Sequence, residues 1–133
     1  MNLIFVCKYN RFRSRIAEAY FKKINKNKNL HATSSGVFKG LPVAENVIKI
    51  GKEWRINTGG QTRGLHESEF VDADLIVVTA NDVPVSLFKR FKGKVIRWKI
   101  PDISQSNKKR IEEIMKEIFK KVDVLVRQLR KTK

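Results

Sequence analysis

The sequence predicts an α/β fold in which an open, mostly parallel four-stranded sheet carries helices on both faces. Two observations support this prediction. Short apolar runs alternate along the chain with longer segments whose apolar residues recur at helical spacing. In addition, the runs at residues 3–6 and 75–79 are almost entirely apolar, as is typical of parallel strands buried on both faces. Repeated alternation of strand and helix builds a mostly parallel sheet.

The first half of the chain predicts two strands, each followed by a helix. Residues 3–6 form the first strand, and over residues 14–26 the apolar side chains fall on one helical face. Residues 30–35 can form a second short strand. Pro42 marks the start of the next helix, which we expect to continue to about Trp54, because proline is favoured in the first helical turn.

The second half predicts two more strands and a long final helix. Residues 75–79 give the strongest strand signal, and a short helix over residues 84–90 leads to a fourth strand at 94–98. The final helix, over about 107–130, has a basic polar face and one apolar stripe: Ile111, Ile114, Met115, Ile118, Val122, Leu125 and Leu129. No linker or repeat interrupts the chain, so we expect residues 1–133 to form a single domain.

The composition is equally consistent with an anionic partner and with a generally Lys-rich surface that serves no particular partner. The chain has 29 Lys and Arg against 13 Asp and Glu, a formal net charge of +16. Such a field attracts phosphorylated ligands, and on charge alone it leaves nucleic acid as a possible partner. No apolar stretch approaches the length of a membrane span, and the apolar start lacks the features of a secretory leader. We therefore expect a cytoplasmic protein that makes no membrane contact, and the sequence leaves open a monomer or a weak dimer.

Metal and disulfide chemistry find little support in the sequence. There is one cysteine, which excludes an internal disulfide and a cysteine-based zinc site. His31 and His66 are far apart, and neither has a second ligand at metal-binding spacing. We expect neither a metal nor a cofactor.

The motif that carries chemistry follows the first strand. Cys7, Arg13 and Ser14 form a Cys-x5-Arg-Ser pattern between that strand and the first helix. In open α/β sheets ligands bind at the carboxyl ends of strands, and a short loop that leads into a helix turns its backbone N–H groups towards an anion. We therefore expect a phosphate-binding loop made of Lys8, Tyr9, Asn10, Arg11, Phe12, Arg13 and Ser14.

The residue types of this loop suit phosphate chemistry. The planar guanidinium of Arg13 can hold two phosphate oxygens at once. A positive environment favours the thiolate of Cys7, which is the nucleophilic form, and Ser14 can donate a hydrogen bond to that sulfur. Asn10 tolerates the left-handed backbone that folds such a loop. The alternative is a buried core cysteine followed by ordinary helix-start residues.

Three further cations lie in or beside the loop. Lys8 and Arg11 add positive charge that should strengthen anion capture. They can equally be solvated residues at the rim of the site. For Arg15 the interpretation as a solvated rim residue is favoured.

An acid for the leaving group is predicted after the last strand. Asp102 follows the fourth strand, whose carboxyl end lies at the same edge of the sheet as the loop. It is therefore placed to reach the site as a general acid. The alternative is a turn aspartate that precedes the final helix. Three other aspartates flank the third strand and are weaker candidates: Asp72, Asp74 and Asp82.

Several segments together form a recognisable pattern. They are Val6-Cys7, Asn10, residues 13–19, Ser34-Ser35-Gly36, Thr62-Arg63-Gly64-Leu65, Ala73-Asp74-Leu75-Ile76 and Asp102. The pattern resembles the low-molecular-weight protein tyrosine phosphatases, together with the arsenate reductases that share their fold. The resemblance extends over essentially the whole chain. It departs from the usual family pattern at Tyr9, Phe12, Gly60, Ile103 and Ser104.

The resemblance implies a fold and a mechanism. The fold is a flavodoxin-like sheet with a phosphate loop after its first strand, and Ser34 is the serine that supports the loop together with Asn10. Cys7 is the nucleophile of a phosphocysteine intermediate, and Asp102 is the general acid and then the general base. The substrate is a phosphorylated protein, with phosphotyrosine favoured, or a small phosphate ester.

Two other functions are compatible with the sequence. Arsenate reduction is possible on the same scaffold, but Cys7 is the sole thiol, so an external thiol would have to complete the cycle. A non-catalytic module that binds anions or nucleic acid would explain the charge. It would leave the set of nucleophile, arginine and acid unexplained.

Overall fold

The computed structural model describes residues 1–131, so Thr132 and Lys133 lie outside the described residues. Four strands form one sheet: β1 (Asn2–Cys7), β2 (His31–Gly36), β3 (Leu75–Val78) and β4 (Lys94–Arg97). Their order is β2-β1-β3-β4, and each neighbouring pair is parallel. This is the flavodoxin-like order, in which the direction of winding changes between β1 and β3 and a ligand site forms at the carboxyl end of β1.

Three α-helices connect and follow the strands: α1 (Arg13–Ile24), α2 (Glu45–Glu53) and α3 (Lys108–Lys131). Helix α2 begins three residues after the predicted start at Pro42, because the Pro42 carbonyl accepts a hydrogen bond from the Arg11 Nε at 3.0 Å and Ala44 is still extended. The helix predicted over residues 84–90 is a 3-10 helix at Val85–Phe88. A second 3-10 helix spans Glu67–Phe70.

The helices are divided unequally between the two faces of the sheet. One face carries Leu3, Phe5 and Val77, and all three α-helices contribute to the core against it. The opposite face carries Ile4 and Val78 and is covered by the two 3-10 helices and nearby loops. Helices therefore lie on both faces as predicted, but the thick α-helical layer lies on one side only.

The apolar stripe predicted for α3 is the seam that packs this helix against α1, α2 and the core that they share with the sheet. Ile111, Met115, Ile118 and Val122 are completely buried. Tyr20 of α1 donates a hydrogen bond to the Asp123 carboxylate at 2.8 Å. Among the described residues, no helix combines the length and the apolar character that crossing a membrane requires.

Replacing Ile118 with alanine tests this seam. Ile118 is fully buried, so the substitution leaves a cavity and should lower the free energy of unfolding by about 3 kcal/mol. Val124 on the same helix is 44% exposed, so Val124→Ala should change it by less than about 1 kcal/mol. Denaturant unfolding measures both, and equal losses would contradict this packing.

Candidate active site

The predicted phosphate loop (residues 7–14) lies at the carboxyl end of β1. Cys7 is the last residue of β1 and is 2% exposed, and Ser14 is in the first turn of α1. The Cys7 Sγ and the Ser14 Oγ are 3.0 Å apart, which is within hydrogen-bond distance for sulfur. The strand and the helix thus bring together two residues that the sequence pattern had paired. A hydroxyl donor at this distance stabilises a sulfur that carries negative charge.

Asn10 folds the loop. Its φ is 57°, in the left-handed region, and its side chain is completely buried. Its Nδ2 donates hydrogen bonds to the hydroxyl oxygens of Ser14 at 2.9 Å and Ser34 at 3.0 Å. Its Oδ1 accepts from the Arg15 guanidinium at 2.8 Å and from the Arg63 backbone N–H at 3.1 Å. One side chain therefore joins the loop to α1, to β2 and to the segment that contains Arg63.

Arg15 is a buried structural cation, and its interpretation as a solvated rim residue is wrong. It is 9% exposed, and its guanidinium donates to the carbonyls of Asn10 at 3.2 Å, Gly59 at 3.0 Å and Gln61 at 2.5 Å. Burial lowers the pKa of Arg15 from its ordinary value, and the nearby Glu18 carboxylate acts in the opposite direction. This role could not be predicted from the sequence, because two of the acceptors are backbone groups far away in the chain.

Ser34 connects the loop to a second polar chain. Its hydroxyl donates to the Glu18 carboxylate at 2.5 Å while it accepts from Asn10. Its carbonyl accepts from the Arg63 guanidinium at 3.2 Å, and Arg63 also pairs with Glu69. The side chains around Asn10 therefore have hydrogen-bond partners, as buried polar groups require.

Two glycines allow a close approach between the loop and the chain after β2. A Cβ at Gly36 would lie 2.7 Å from the Asn10 backbone nitrogen and 2.5 Å from the Phe38 carbonyl oxygen. A Cβ at Gly40 would lie 2.5 Å from the Tyr9 carbonyl oxygen. A side chain at either position would displace the backbone of the loop.

Arg13 is buried at the start of α1, where a backbone carbonyl and a carboxylate hold its guanidinium group. Its NH1 group donates to the Ile100 carbonyl at 3.0 Å and lies 3.0 Å from the Asp82 Oδ1. Its NH2 group donates to the Asp82 Oδ2 at 3.4 Å. Asp82, a weaker candidate for the acid, is thus the carboxylate partner of the loop arginine. By contrast, Asp74 accepts from the Asn2 backbone N–H, at the opposite edge of the sheet.

Asp102 lies in the same pocket as Cys7. This pocket has a volume of about 40 Å³ and is lined by Cys7, Tyr9, Arg11, Phe12, Arg13, Asp102 and Gln105. Asp102 is exposed, and its Oδ1 accepts from the Ile103 backbone N–H at 3.0 Å. A larger cavity of about 430 Å³, lined by Arg15 and Glu18 among others, contains neither Cys7 nor Asp102. The small pocket is therefore the candidate active site, because it contains the possible nucleophile and the possible acid.

The other loop residues differ in what they present to the pocket. Phe12 is 3% exposed and belongs to the hydrophobic core. The Lys8 Nζ lies 5.4 Å from the centre of the Tyr9 ring, and that ring lies 6.1 Å from the ring of Phe38. Tyr9 and Phe38 therefore form an aromatic pair beside the pocket, and they are 41% and 57% exposed.

Within residues 1–131, no group of three or more His, Cys, Asp or Glu could hold a metal ion.

The fold and this pocket define a class of protein. A cysteine ends the first parallel strand, a loop wraps onto the following helix, and a buried arginine faces the same pocket as the cysteine. This is the arrangement of an α/β enzyme that binds an oxyanion beside a thiol. The chain belongs to the low molecular weight phosphotyrosine protein phosphatase family, whose model matches residues 2–133. It is a cysteine-dependent phosphatase of that family.

Solved structures agree with this fold. A low molecular weight protein tyrosine phosphatase from T. tengcongensis is 24% identical, with 96% of this chain and 99% of the other covered and a TM-score of 0.84. The YwlE arginine phosphatase from Geobacillus stearothermophilus is 19% identical, with coverage of 98% and 93% and a TM-score of 0.85. An arsenate reductase from Archaeoglobus fulgidus is 27% identical, with coverage of 93% and 98% and a TM-score of 0.74. No curated protein matches the sequence.

Replacing Asn10 with alanine tests its role in folding the loop. The variant loses the buried hydrogen bonds of the side chain and places a Cβ-bearing residue without local hydrogen bonds at φ 57°, so the free energy of unfolding should fall by about 3 kcal/mol. The matched control is Asn29→Ala at an exposed turn, with an expected change within about 0.5 kcal/mol. Similar values for the two variants in denaturant unfolding would show that Asn10 does not hold the loop.

Proposed function

We propose that this phosphatase hydrolyses phosphate monoesters, phosphotyrosine among them, by two displacements at Cys7. The observation that supports the proposal is the meeting of Cys7, Arg13 and Asp102 in one small pocket. These three residue types supply a nucleophile, a phosphate ligand and a proton donor. In this proposal the phosphoryl group is the part of the substrate that enters the pocket, and the rest lies outside it.

In the first displacement the Cys7 thiolate attacks phosphorus. The S–P bond forms as the bond from phosphorus to the leaving oxygen breaks, and protonated Asp102 transfers its proton to that oxygen. Arg13 and the backbone N–H groups of the loop stabilise the charge on the three equatorial oxygens. The products of this step are the free alcohol and phosphocysteine.

In the second displacement water attacks the phosphocysteine. The Asp102 carboxylate accepts a proton from the water, the new P–O bond forms, and the S–P bond breaks. Inorganic phosphate leaves, Asp102 is protonated again, and Cys7 returns to the thiolate. Ser14, 3.0 Å from the sulfur, stabilises the thiolate as the leaving group.

The hydrogen bonds of Arg13 suit it for holding phosphate. Arginine has five N–H donors. NH1 is engaged by the Ile100 carbonyl and Asp82, and one donor of NH2 is engaged by Asp82. This leaves the Nε–H and the second N–H of NH2, which lie on one edge of the guanidinium and can bind two phosphate oxygens. In this proposal Asp82 orients Arg13.

The surroundings of the pocket support an aromatic substrate. Tyr9 and Phe38 offer exposed aromatic surface beside the mouth, onto which the ring of a phosphotyrosine can pack. A protein tyrosine phosphatase and an arginine phosphatase both share this fold, so phosphoarginine is the competing substrate. Lys8 and Arg11 supply positive charge at the rim.

Arsenate reduction is the second candidate, and the similarity to an arsenate reductase is the observation in its favour. The chain has one cysteine, so an electron-donating thiol from outside would have to resolve an arsenate adduct on Cys7.

We also propose that residues 1–133 act as one phosphatase domain. Because its thiol must stay reduced, we place that domain in a reducing compartment such as the cytoplasm.

Hydrolysis of p-nitrophenyl phosphate tests the proposed roles. Cys7→Ser should abolish turnover, and Asp102→Asn should lower kcat by about a hundredfold or more, because the second displacement needs Asp102 as its general base whatever the leaving group. Asp72→Asn, an exposed aspartate just before β3, is the matched control and should retain wild-type activity. Turnover by the Cys7→Ser variant, or an inactive wild type between mildly acidic and neutral pH, would contradict the proposal.

The aromatic pair is tested by substrate comparison. Phe38→Ala should lower kcat/KM for a phosphotyrosine peptide by about fivefold, because it removes aromatic packing surface, and should leave a phosphoserine peptide unaffected. Leu41→Ala, another exposed apolar residue of the same segment, should change neither value. A loss of equal size on both peptides would argue against an aromatic subsite at Phe38.

A further inference from the structure

Gln105 lines the active-site pocket, and the mechanism above gives it no task. It lies in the segment between β4 and α3 that has no helix or strand. Its Nε2 donates to the Asp102 Oδ1 at 3.4 Å and to the Ile103 carbonyl at 2.6 Å. Its Oε1 accepts from the Arg11 NH1 at 3.5 Å. The side chain therefore contacts both the phosphate loop and the acid.

Asp102 has little else to orient it. It is exposed, and its one other hydrogen bond within the described residues comes from the backbone N–H of its neighbour Ile103. That bond moves together with the aspartate and cannot fix it relative to Cys7. Proton transfer to a leaving oxygen requires a heavy-atom separation of roughly 2.6–3.2 Å, so an unheld carboxyl group would spend much of its time out of reach.

Gln105 is itself held from a third direction. Its backbone carbonyl accepts from the Asn46 Nδ2 of α2 at 3.1 Å. Arg11, its partner in the phosphate loop, is anchored by its Nε to the Pro42 carbonyl at 3.0 Å. Asn46 thus holds the backbone of Gln105, and Arg11 holds its side-chain amide next to Asp102.

We propose that Gln105 is a positioning residue that bridges Arg11 of the phosphate loop and Asp102, and so sets the general acid over the leaving oxygen. The inference rests on the proposed role of Asp102 as the acid. It assigns Arg11 a second task, because its NH1 group supports the bridge as well as adding charge to the rim.

The leaving group distinguishes positioning from general support of the fold. An aryl oxygen of low basicity, as in p-nitrophenyl phosphate, leaves readily with little proton transfer. The more basic oxygen of phenyl phosphate depends on the acid. Misplacing Asp102 should therefore lower kcat/KM much more for phenyl phosphate than for p-nitrophenyl phosphate. Loss of phosphate binding or of folded protein would lower both values equally.

The experiment measures kcat/KM for both esters with wild type, Gln105→Met and Asp102→Asn. Methionine keeps the length of the side chain and removes its donor and acceptor. We expect Gln105→Met to lower the value for phenyl phosphate by about tenfold and that for p-nitrophenyl phosphate by about twofold or less, a fraction of the full acid contribution. The ratio of the two values does not depend on how much of a preparation is folded.

Ser104→Ala is the control within the same segment. The Ser104 hydroxyl bonds to Ser106, and in the described residues no hydrogen bond joins it to Asp102. This variant should leave the ratio of the two esters unchanged. A shift as large as that of Gln105→Met would mean that any change in the segment disturbs the acid, and it would overturn the specific role of Gln105.

A double-mutant cycle completes the test. In the Asp102→Asn background, Gln105→Met should have no further effect on either ester beyond about twofold, because the group that it positions is gone. A further tenfold loss there, or equal losses on both esters in the single variant, would overturn the proposal. If Asp102→Asn itself shows no dependence on the leaving group, the proposed function of Asp102 fails, which is a separate result.

Discussion

The left-handed backbone and buried amide of Asn10 are the constraint on which the site depends. The turn at this residue folds residues 7–14 back onto the start of α1, and the amide then binds both Ser14 and Ser34. Without that turn the Cys7 sulfur and the Ser14 hydroxyl would not face each other at 3.0 Å. Geometry that a phosphatase needs at its nucleophile is therefore determined by a residue whose side chain is completely buried behind the loop.

The two buried arginines, Arg13 and Arg15, are a second constraint on the site. Moving an unpaired guanidinium out of water costs several kcal/mol, so each buried arginine needs hydrogen-bond acceptors close to it. Arg13 finds them in Asp82 and the Ile100 carbonyl, and Arg15 finds them in backbone carbonyls and the Asn10 amide oxygen. The two arginines therefore have different roles. Arg13 keeps two donors for phosphate, whereas Arg15 spends its donors on holding the loop.

Much of the fold could be predicted from local patterns. The continuous apolar runs at β1 and β3 and the stripe on α3 depend on burial, which neighbouring residues in the sequence already encode. The unequal covering of the two faces and the late start of α2 could not be predicted. The first depends on which layer each connection packs against, and the second on a hydrogen bond from Arg11 to Pro42.

In the candidate site, too, local sequence patterns predicted some residues and could not predict others. The spacing of Cys7, Arg13 and Ser14 identified the loop, and the position of Asp102 after the last strand placed it in the same pocket. The partners Asp82, Arg15 and Gln105 could not be recognised, because each acts on or through residues distant in the chain and none completes a local motif.

Covalent chemistry at Cys7 is the central step of the proposed mechanism, and a single-turnover experiment tests it directly. Enzyme in excess would be mixed with p-nitrophenyl phosphate, quenched over a series of times, and its peptides analysed for bound phosphate. Phosphate should appear on Cys7 and then disappear as inorganic phosphate is released. Phosphate release with no protein-bound phosphate at any time, or phosphate bound at another residue, would contradict it.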